Sequence, residues 1–491
     1  MCRILISVAV IAGSGYLYGC SGTGSSAGDG VADGALGSAC DLDARACADA
    51  LVCEALLDGE PLCASPVVIR GIVLDLADDT SIEGALVQAV DANGAAAGTT
   101  GVTDADGTYS LTVPAMRNAD GGPIEGIYTL RVQAAAYQEF PTAIRPALPL
   151  DAASAQSAEE GWLIESALTT VGLLRIPGDS GELGSISGAI QADANAGVLV
   201  IAVDGETSLT GFSDSDGHYV IFNVPSGSYS VQGYSAGLQL DPTSATVVDG
   251  EAVLGVDLLL SDRPLSTVSG SVQIVNAPGG SVTSVVLSVE STFDEAVGLG
   301  KVPPGLRIGD VTGAFSINDV PDGRYVVLAA FENDDLVRDP DQTIGGTAIV
   351  SIEVPDPTTG TTIDLSEGFK VTGALEVVQP GADGPEQVFT ATPILEWEDD
   401  SSEDGYELRI LDAFGNEVWQ DEIGSVSGSA TVTHEYGGPP LQSGMFYQFR
   451  VISFREQSGE RTAISATEDL RGVFFYLSGD TSSDGVQEPN G

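Results

Sequence analysis

Side chains capable of acid, base or nucleophilic chemistry are few in this sequence and far apart. The only histidines are His218 and His434, and they fall in different segments of the chain. Catalysis needs several titratable groups brought to one place. The sequence contains no HExxH motif, no phosphate-binding glycine loop and no zinc peptidase segment. We therefore expect a protein that is not an enzyme.

Two pairs of aspartates are the candidate ligands for a metal ion. Asp104 and Asp106 form one pair, Asp214 and Asp216 form the other, and each pair surrounds a tight turn with a glycine. Two carboxylates can supply part of the oxygen shell of Ca²⁺. The same residue types also satisfy the backbone of such a turn, and no EF-hand glutamate follows. The turn interpretation is favoured, calcium is the alternative, and no other cofactor is expected.

Four aromatic residues are candidates for stacking on a sugar. They are Tyr137, Phe140, Tyr234 and Phe331, and each falls just past the second strand of a repeated hairpin. A ring exposed there, at the edge of a sheet, would contact a polysaccharide, whereas a buried ring would pack under a loop. Both interpretations stay open, and packing is favoured.

The charge of the chain excludes one class of partner. With 71 acidic and 18 basic residues, the net charge is −53. Nucleic-acid binding needs clustered lysine and arginine, and here the bases are scattered. The excess of acid predicts a solvated surface suited to salty surroundings, with divalent-cation binding as the alternative.

The aspartates and aromatics belong to a hairpin pattern that the chain repeats three times, at residues 103–133, 213–232 and 311–328. In its fullest form an Asp/Gly turn leads into a strand that starts with an aromatic residue, followed by Pro-x-Gly-x-Tyr and a second strand. Apolar residues alternate with polar ones along both strands. This period of two predicts sheets that are packed on one face only.

The order of these motifs resembles the carboxypeptidase regulatory-like family. Each repeat opens with a glycine inside a strand that later residues must cross closely, and the three are Gly71, Gly188 and Gly270. The resemblance implies transthyretin-like Greek-key sandwiches, and it makes carbohydrate a candidate ligand because related sandwiches bind glycans. Repeat one departs from the pattern by an insertion at 115–125, and repeat three lacks the first acids.

The chain divides into a series of modules. In the last module, Trp397 would fill the core and Tyr447 would form a tyrosine corner near the start of a strand. With these two residues the module resembles a fibronectin type III domain. Residues 369–378 read as a strand without a following hairpin, so no fourth repeat is counted. Short linkers predict a semi-rigid string. The predicted sandwich modules span residues 68–177, 184–262, 266–367 and 387–477, followed by a disordered tail at 478–491.

The first 20 residues indicate export. A short basic start and an apolar run are typical of a secretory signal at 1–19. Leu17-Tyr18-Gly19-Cys20 resembles the lipobox of bacterial lipoproteins, although Tyr18 replaces the usual small residue. The resemblance implies that Cys20 is lipidated, and Ser21 after it favours the outer membrane. A simple secreted signal is the alternative. Residues 20–39 predict a flexible tether.

Four cysteines follow the tether, at Cys40, Cys47, Cys53 and Cys63. An even, clustered set in an oxidising compartment predicts two disulfides with three possible pairings. A zinc site is the alternative, but the segment has no CxxC pair and no nearby histidine. We interpret residues 40–63 as a small module that depends on its bridges.

Together these features predict an all-β chain of tandem Greek-key sandwiches behind a signal peptide, a tether and a Cys-rich module. The favoured function is a lipid-anchored spacer, scaffold or adhesin at the outer membrane or cell surface. The alternative is carbohydrate binding by the repeats. The expected partners are the membrane, through the anchor, and polysaccharide or envelope proteins.

Overall fold

The computed structural model describes residues 34–478, apart from gaps at 43–46, 49, 58, 92–93, 143, 160, 179–182, 194, 206–207, 278, 296–297 and 330–334. Over this part of the chain the structure is built from β-strands. It contains no α-helix there, and short 3-10 turns lie at Ala152–Ser154, Ala167–Thr169 and Glu290–Thr292. The all-β prediction is confirmed. The predicted signal, Cys20 and the tail beyond Ser478 lie outside the described residues.

The Cys-rich module is a two-stranded hairpin closed by two disulfides. Its strands are β1 (Val52–Glu54) and β2 (Leu62–Ala64), in which Cys53 lies opposite Cys63. The bridges join Cys40 to Cys53 and Cys47 to Cys63, so the predicted disulfides are present. Each therefore ties a hairpin strand to the preceding loop, which is how a segment without a large core stays folded.

The first sandwich contains one sheet in the order β10-β9-β4-β5 and a second in the order β11-β12-β3-β13, with β6 on the other side of β3. A separate hairpin, β7-β8, is formed by the insertion. The strands are β3 (Val67–Asp75), β4 (Leu86–Val90), β5 (Gly101–Val102), β6 (Thr108–Val113), β7 (Met116–Arg117), β8 (Pro123–Glu125), β9 (Ile127–Gln133), β10 (Leu150–Asp151), β11 (Gln156–Ala158), β12 (Gly161–Ile164) and β13 (Thr170–Leu173).

The second sandwich has the same plan. One sheet runs β16-β15-β18-β19, and the other runs β17-β14-β20, with β21 also paired to β14. The strands are β14 (Gly184–Gln191), β15 (Leu199–Val203), β16 (Ser208–Phe212), β17 (His218–Val224), β18 (Gly227–Tyr234), β19 (Thr243–Val247), β20 (Ala252–Val253) and β21 (Leu258–Leu259).

The third sandwich pairs β24-β23-β26-β28 in one sheet and β25-β22-β30-β27 in the other, with β29 also paired to β22. Phe369–Gly373 is thus a strand of this sandwich, beyond the predicted limit at residue 367. The strands are β22 (Ser266–Val275), β23 (Thr283–Val289), β24 (Arg307–Val311), β25 (Ala314–Val320), β26 (Gly323–Ala329), β27 (Leu336–Arg338), β28 (Val350–Val354), β29 (Thr362–Asp364) and β30 (Phe369–Gly373).

The last sandwich already starts at Val377, ten residues before the predicted boundary at 387. Its sheets run β31-β33-β36 and β32-β39-β37-β34-β35, with β38 paired to β37. The strands are β31 (Val377–Gln379), β32 (Glu386–Val388), β33 (Ile394–Glu398), β34 (Gly405–Asp412), β35 (Glu417–Gly424), β36 (Thr431–Glu435), β37 (Met445–Gln457), β38 (Glu460–Ala466) and β39 (Val473–Tyr476).

Aromatic residues fill the core of this last sandwich. The indole of Trp397 is fully buried and lies edge-on to Tyr406, with ring centroids 5.5 Å apart. The hydroxyl of Tyr447 accepts a hydrogen bond of 2.7 Å from the backbone N–H of Gln442. This is the geometry of a tyrosine corner, in which a hydroxyl near the start of a strand ties down the preceding loop.

The opening glycines lie where the chain crosses itself. A β-carbon on Gly71 would lie 1.8 Å from the carbonyl oxygen of Thr169, and one on Gly188 would lie 2.0 Å from that of Val256. Real β-carbons do not approach backbone oxygens so closely, so only glycine fits. In the third sandwich the ring of Phe315 fills the equivalent space beside Gly270. The close crossing predicted from the glycines is therefore present at Gly71 and Gly188, while a side chain takes that place at Gly270.

The tyrosine of each Pro-x-Gly-x-Tyr motif closes its own hairpin. The Tyr229 hydroxyl donates to the carbonyl of Pro225, and the Tyr325 hydroxyl donates to that of Pro321, both at 2.9 Å. A buried hydroxyl needs such a partner. The repeated motif therefore fixes the turn between the two hairpin strands.

Each of the first three sandwiches contributes one sheet to the contacts between modules. We call these the joint sheets, and they are β10-β9-β4-β5, β16-β15-β18-β19 and β24-β23-β26-β28. The inner face of each joint sheet lies in its own core. The third sandwich covers the outer face of β15, whereas the outer residues of β18 and β19, such as Ser230 and Thr246, are exposed. On β26 the outer residues Val326 and Leu328 are covered by Phe293, Val302 and Ile349 of the same sandwich. The prediction that these sheets are packed on one face only therefore holds for most of β18 and for β19 and is wrong for β15 and β26.

Candidate functional site

The two histidines lie in different sandwiches and in ordinary surface positions. His218 is 69% exposed, and its ring lies 3.9 Å from the carboxylate of Asp214. His434 lies 2.9 Å from Asp421 and stacks on Trp419, with ring centroids 5.8 Å apart. Among the described residues the only metal-type cluster is Cys40, Cys47 and Cys63, which are disulfide-bonded.

The acidic turns use their first carboxylate internally. Asp104 accepts hydrogen bonds from the backbone N–H groups of Asp106 and Thr108, at 3.0 and 2.9 Å. Hydrogen bonds from Thr108 lower the pKa of this carboxyl group. Asp214 accepts in the same way from Asp216 and from His218. The carboxylates thus hold the turn that precedes the first hairpin strand.

The aromatic candidates for sugar stacking are not exposed platforms. Tyr234 is only 5% exposed and lies edge-on to Tyr325 of the third sandwich, at 6.0 Å. Tyr137 is buried, and its hydroxyl donates to Asp75 at 3.0 Å. Phe140 is half-buried. The alternative of exposed rings is wrong for both tyrosines, because the loops after the hairpins pack into contacts between modules. Phe331 lies outside the described residues.

The insertion in repeat one contacts the Cys-rich module. Arg117 of β7 is fully buried, and its Nε donates to the Glu54 carboxylate of β1. The same carboxylate accepts from the backbone N–H of Ala115 at 3.1 Å, while Arg117 Nη2 donates to the carbonyl of Ser65 at 2.9 Å. Burial raises the pKa of Glu54 although Arg117 opposes this shift. The insertion therefore attaches the Cys-rich module to the first sandwich.

Asn223 joins the second sandwich to the first. Its Oδ1 accepts from the backbone N–H of Ala136 at 2.6 Å, and its Nδ2 donates to the carbonyls of Ala134 and Tyr137 at 3.2 and 3.0 Å. These three residues form the loop after β9. One amide side chain thus uses both its acceptor and its donors across the joint.

Asp319 occupies the same position in the third sandwich. Its backbone carbonyl accepts from the N–H of Gly237, in the loop after β18, at 2.8 Å. Asn223 and Asp319 both have left-handed backbones, with φ of 60° and 57°. Each lies in a β-bulge, where β17 or β25 carries one residue more than the strand it pairs with. The first sandwich has no such bulge in β6.

Apolar side chains complete the joint between the second and third sandwiches. The outer face of β15 presents Leu199 and Ile201 to the core of the third sandwich, while Val200 faces its own core. Tyr234 joins the same cluster. Every residue of this strand up to Ala202 is buried for that reason.

Two further contacts connect the first sandwich to the second. The guanidinium carbon of Arg131 lies 3.3 Å from the ring centroid of Phe212, and Gln88 Nε2 donates to the carbonyl of Ser213 at 3.1 Å. Burial lowers the pKa of Arg131 to about 10. Both side chains project from the outer face of the first joint sheet.

The third sandwich meets the last one across a small cleft of about 220 Å³. Its walls include Leu328 and Phe293 from the third sandwich and Ile452 from the last. Arg450 donates to the carboxylate of Asp469 at 2.6 Å, and the partial burial of Asp469 raises the pKa of that carboxyl group.

The first sandwich also contacts both the third and the last. We call this set of contacts the closing joint. Lys301 of the third sandwich pairs with Glu139 of the first. Gln138 Nε2 donates to the carbonyl of Ala413 in the last sandwich at 2.8 Å, and the guanidinium of Arg145 lies 4.7 Å from the Phe446 ring. The modules therefore form a closed arrangement, and the predicted string is wrong.

Apolar packing supports the closing joint. Ile144 and Leu174 of the first sandwich belong to the core cluster of the last sandwich. The 134–147 segment that supplies Ile144 follows the second hairpin strand of repeat one. The sequence of this segment is less polar than that of a solvated loop. That low polarity is the one sequence feature that indicates that the segment covers another module.

A cleft of about 480 Å³ lies at the closing joint, within the size range of small-molecule sites. Three modules contribute to it. Its lining includes Gln138, Thr142, Thr292, Leu299, Phe414 and Leu470. It thus combines one aromatic ring and apolar walls with hydroxyl and amide groups and with the charged side chains of Glu139, Asp294 and Lys301. No sequence pattern indicates this cleft, because its walls come from segments far apart in the chain.

Comparison with known proteins gives structural matches only. No family model matches the chain, and no curated protein matches it. Among solved structures, it is similar to the Bacillus anthracis TIE protein, at 12% identity over 81% of this chain and 68% of that chain, with a TM-score of 0.15. A streptococcal ancillary pilin matches at 13% identity over 62% of this chain and 99% of that chain, with a TM-score of 0.16.

A tandem repeat of a large adhesion protein matches at 14% identity over 82% of this chain and 98% of that chain, with a TM-score of 0.13. Scores this low carry no argument about function. Separately, none of the described residues form a helix that is long and apolar enough to cross a membrane.

Proposed function

We propose that this chain is a non-enzymatic, lipid-anchored protein of the cell envelope that acts as a compact surface scaffold or adhesin. The observation that carries the proposal is the closed arrangement of four sandwiches, in which side chains at every joint are buried or paired. Such packing presents a fixed outer surface, whereas an extended spacer needs no contact between its first and last modules.

The anchoring part of the proposal rests on the sequence. Leu17-Tyr18-Gly19-Cys20 resembles a lipobox, and residues 20–39 would tether the folded part to an outer-membrane lipid anchor. The disulfides of the Cys-rich module fit an oxidising compartment. The net charge of −53 argues against nucleic acid as a partner.

The family assignments belong to the same proposal. The motif order supports regulatory-like membership for the first three sandwiches, and the Tyr447 to Gln442 hydrogen bond supports a fibronectin type III-like last sandwich. Envelope proteins and polysaccharides are the expected partners of such a scaffold.

Fractionation of producing cells tests the anchored scaffold. The wild-type chain is expected in the membrane fraction and accessible to added protease on intact cells, whereas Cys20→Ser is expected in the soluble or secreted fraction. Cells with the anchored form should adhere to envelope or polysaccharide surfaces more than cells with Cys20→Ser. Unchanged membrane partitioning of Cys20→Ser contradicts the anchor, and equal adhesion contradicts the adhesin.

Carbohydrate binding is the second candidate function, and the cleft at the closing joint favours it. The cleft offers a ring face at Phe414 beside hydroxyl and amide groups, a combination that suits the apolar face and hydroxyls of a sugar. A glycan array with the full exported chain tests this candidate. Binding should be lost in Phe414→Ala and kept in Phe389→Ala, which changes a ring that is 61% exposed on the same sandwich. Absence of any retained glycan removes the candidate.

A further inference from the structure

Six of the scarce cations of this acidic chain lie at its joints. Only 18 residues are lysine or arginine, against 71 acids. Cationic side chains nevertheless take part in each joint between modules. Those that contact a neighbouring module or its linker are Arg117, Arg131, Arg145, Arg263, Lys301 and Arg471.

These contacts respond differently to salt. Arg145 is 5% exposed and lies on the Phe446 ring, so mobile ions screen it little. Lys301 and Glu139 keep side-chain exposures of 31% and 24%. This pair is partly screened, as is expected of an ion pair near the surface. Ile144 carries no charge, so screening by salt does not weaken its apolar contact.

Added salt weakens the electrostatic repulsion between modules more than it weakens these contacts. The net charge of −53 is spread over the chain, so sandwiches that approach one another repel. The screening length is about 30 Å at 0.01 M salt and about 3 Å at 1 M. At low salt the acids of one sandwich therefore act on the whole of the next, and at high salt they act only on direct neighbours.

The closing joint is the contact that repulsion separates first. The peptide chain itself connects the first sandwich to the second, the second to the third and the third to the last. The first sandwich, in contrast, is not followed in the chain by the third or the last, and it touches them through non-covalent contacts. These lie at Lys301, Ala413 and Phe446, and where Ile144 and Leu174 enter the core of the last sandwich. Opening there breaks no covalent link, but it requires the first sandwich to rotate at its joint with the second, where Asn223 and Arg131 make their contacts.

We propose that the closed arrangement is controlled by ionic strength, with the closing joint open at low salt and closed at high salt. Raising the salt removes long-range repulsion among the sandwiches while leaving the buried contacts of Arg145 and Ile144 in place. The 480 Å³ cleft then exists only in the closed state, because the first, third and last sandwiches all line it.

Small-angle X-ray scattering of the full exported chain, carrying Cys20→Ser to keep it in solution, tests the proposal. The radius of gyration is expected to fall as sodium chloride rises from about 0.01 M to about 0.5 M, across the range where the screening length shortens. A radius that is constant over this range, or one that grows with salt, overturns the proposal.

The two lysines of the chain provide a matched pair of variants. Lys301→Gln removes a cation from the closing joint, and Lys370→Gln removes one from β30, outside it. Both change the net charge equally. Lys301→Gln should raise the open-to-closed ratio at intermediate salt by roughly three- to five-fold, as expected from losing a partly exposed ion pair. Lys370→Gln should match the parent chain.

A double variant separates the joint from folding. Lys301→Gln with Glu139→Gln restores the net charge and removes the unpaired carboxylate, so it should close at lower salt than Lys301→Gln alone. Circular dichroism checks that each variant keeps its strands. Equal shifts in Lys301→Gln and Lys370→Gln would show that only net charge matters and would overturn the assignment to the closing joint.

Discussion

Asn223 and Asp319 occupy the same bulge in successive sandwiches, and each contacts the loop that follows the second hairpin strand of the preceding sandwich. Asn223 does so with its side-chain amide, whereas Asp319 does so with its backbone carbonyl. The joint is thus a property of the bulge and not of one residue type. Two variants at equivalent positions can separate the side-chain contribution from the backbone contribution.

Replacement of these two residues by glycine should have unequal effects. Glycine keeps the left-handed backbone that both positions require. Asn223→Gly removes three hydrogen bonds across the joint and should lower the free energy of unfolding by about 1–3 kcal/mol. Asp319→Gly keeps its contact and should cost no more than about 0.5 kcal/mol. Chemical denaturation measures both, and equal losses would contradict the side-chain role of Asn223.

Breaking the buried ion pair should detach the Cys-rich module. Arg117→Met leaves the Glu54 carboxylate buried without its partner, and such losses cost about 3–5 kcal/mol. The double variant Arg117→Met with Glu54→Gln removes the stranded charge and should recover part of the loss. Limited proteolysis of the 34–66 segment and thermal unfolding measure this. A double variant as unstable as Arg117→Met would show that charge burial is not the cause.

Tyr234→Ala should lower the stability of the fold, and it should not act by removing a contact to a sugar. Because Tyr234 is buried against Tyr325, its truncation should cost about 3–5 kcal/mol, the usual loss for a large buried aromatic side chain. Phe389→Ala, at an exposed ring, should change stability by less than about 0.5 kcal/mol. Denaturation curves compare the two. A glycan affinity lost in Tyr234→Ala without loss of stability would revive the stacking interpretation.

Calcium should not change the melting temperature. The first aspartate of each acidic turn is already held by backbone N–H groups, so calcium and a chelator should give the same melting curve. Asp104→Ala should lower the melting temperature because the turn loses its acceptor, whereas Asp106→Ala should leave it unchanged. A higher melting temperature in calcium, abolished by both variants, would instead identify a metal site.

Much of each sandwich was predictable because its signals are local. The turn glycine, the inward aromatic residue and the Pro-x-Gly-x-Tyr motif act within a few residues of each other, as the Tyr229 to Pro225 hydrogen bond shows. Glycines such as Gly188 are also local signals, because no residue with a β-carbon fits where two backbones cross so closely. The four cysteines predicted two disulfides, but the pairing needed the structure.

The arrangement of the modules was not predictable from those patterns. Burial of an outer face depends on residues of another sandwich, such as Arg131 against Phe212. Weak signals were nevertheless present. Strand β26 has the continuous apolar run Val326-Val327-Leu328-Ala329, where β18 alternates. Its outer face is covered by residues of its own sandwich, and Leu328 also lines the cleft to the last sandwich. Repeats two and three also carry an extra residue before the proline, which forms the bulge at the joint.

The candidate cleft and the closing joint were missed for the same reason. Gln138 and Ala413 are 275 residues apart in sequence yet share a hydrogen bond. No pattern within one repeat specifies such a contact. Tyr234 lies at the end of its hairpin strand, but the third sandwich covers that surface.

The hydrogen bond that closes each hairpin has a consequence for how such chains diversify. In the first sandwich the Tyr128 hydroxyl still donates to the carbonyl of Pro114 at 2.6 Å, even though residues 115–125 are inserted between them. The sandwich thus tolerates new sequence at this point without losing its turn. The matching point after Pro225 is exposed, so it is a further site for grafting peptides or acquiring new contact surfaces. The point after Pro321 already serves a joint, because Asp322 pairs with Arg263.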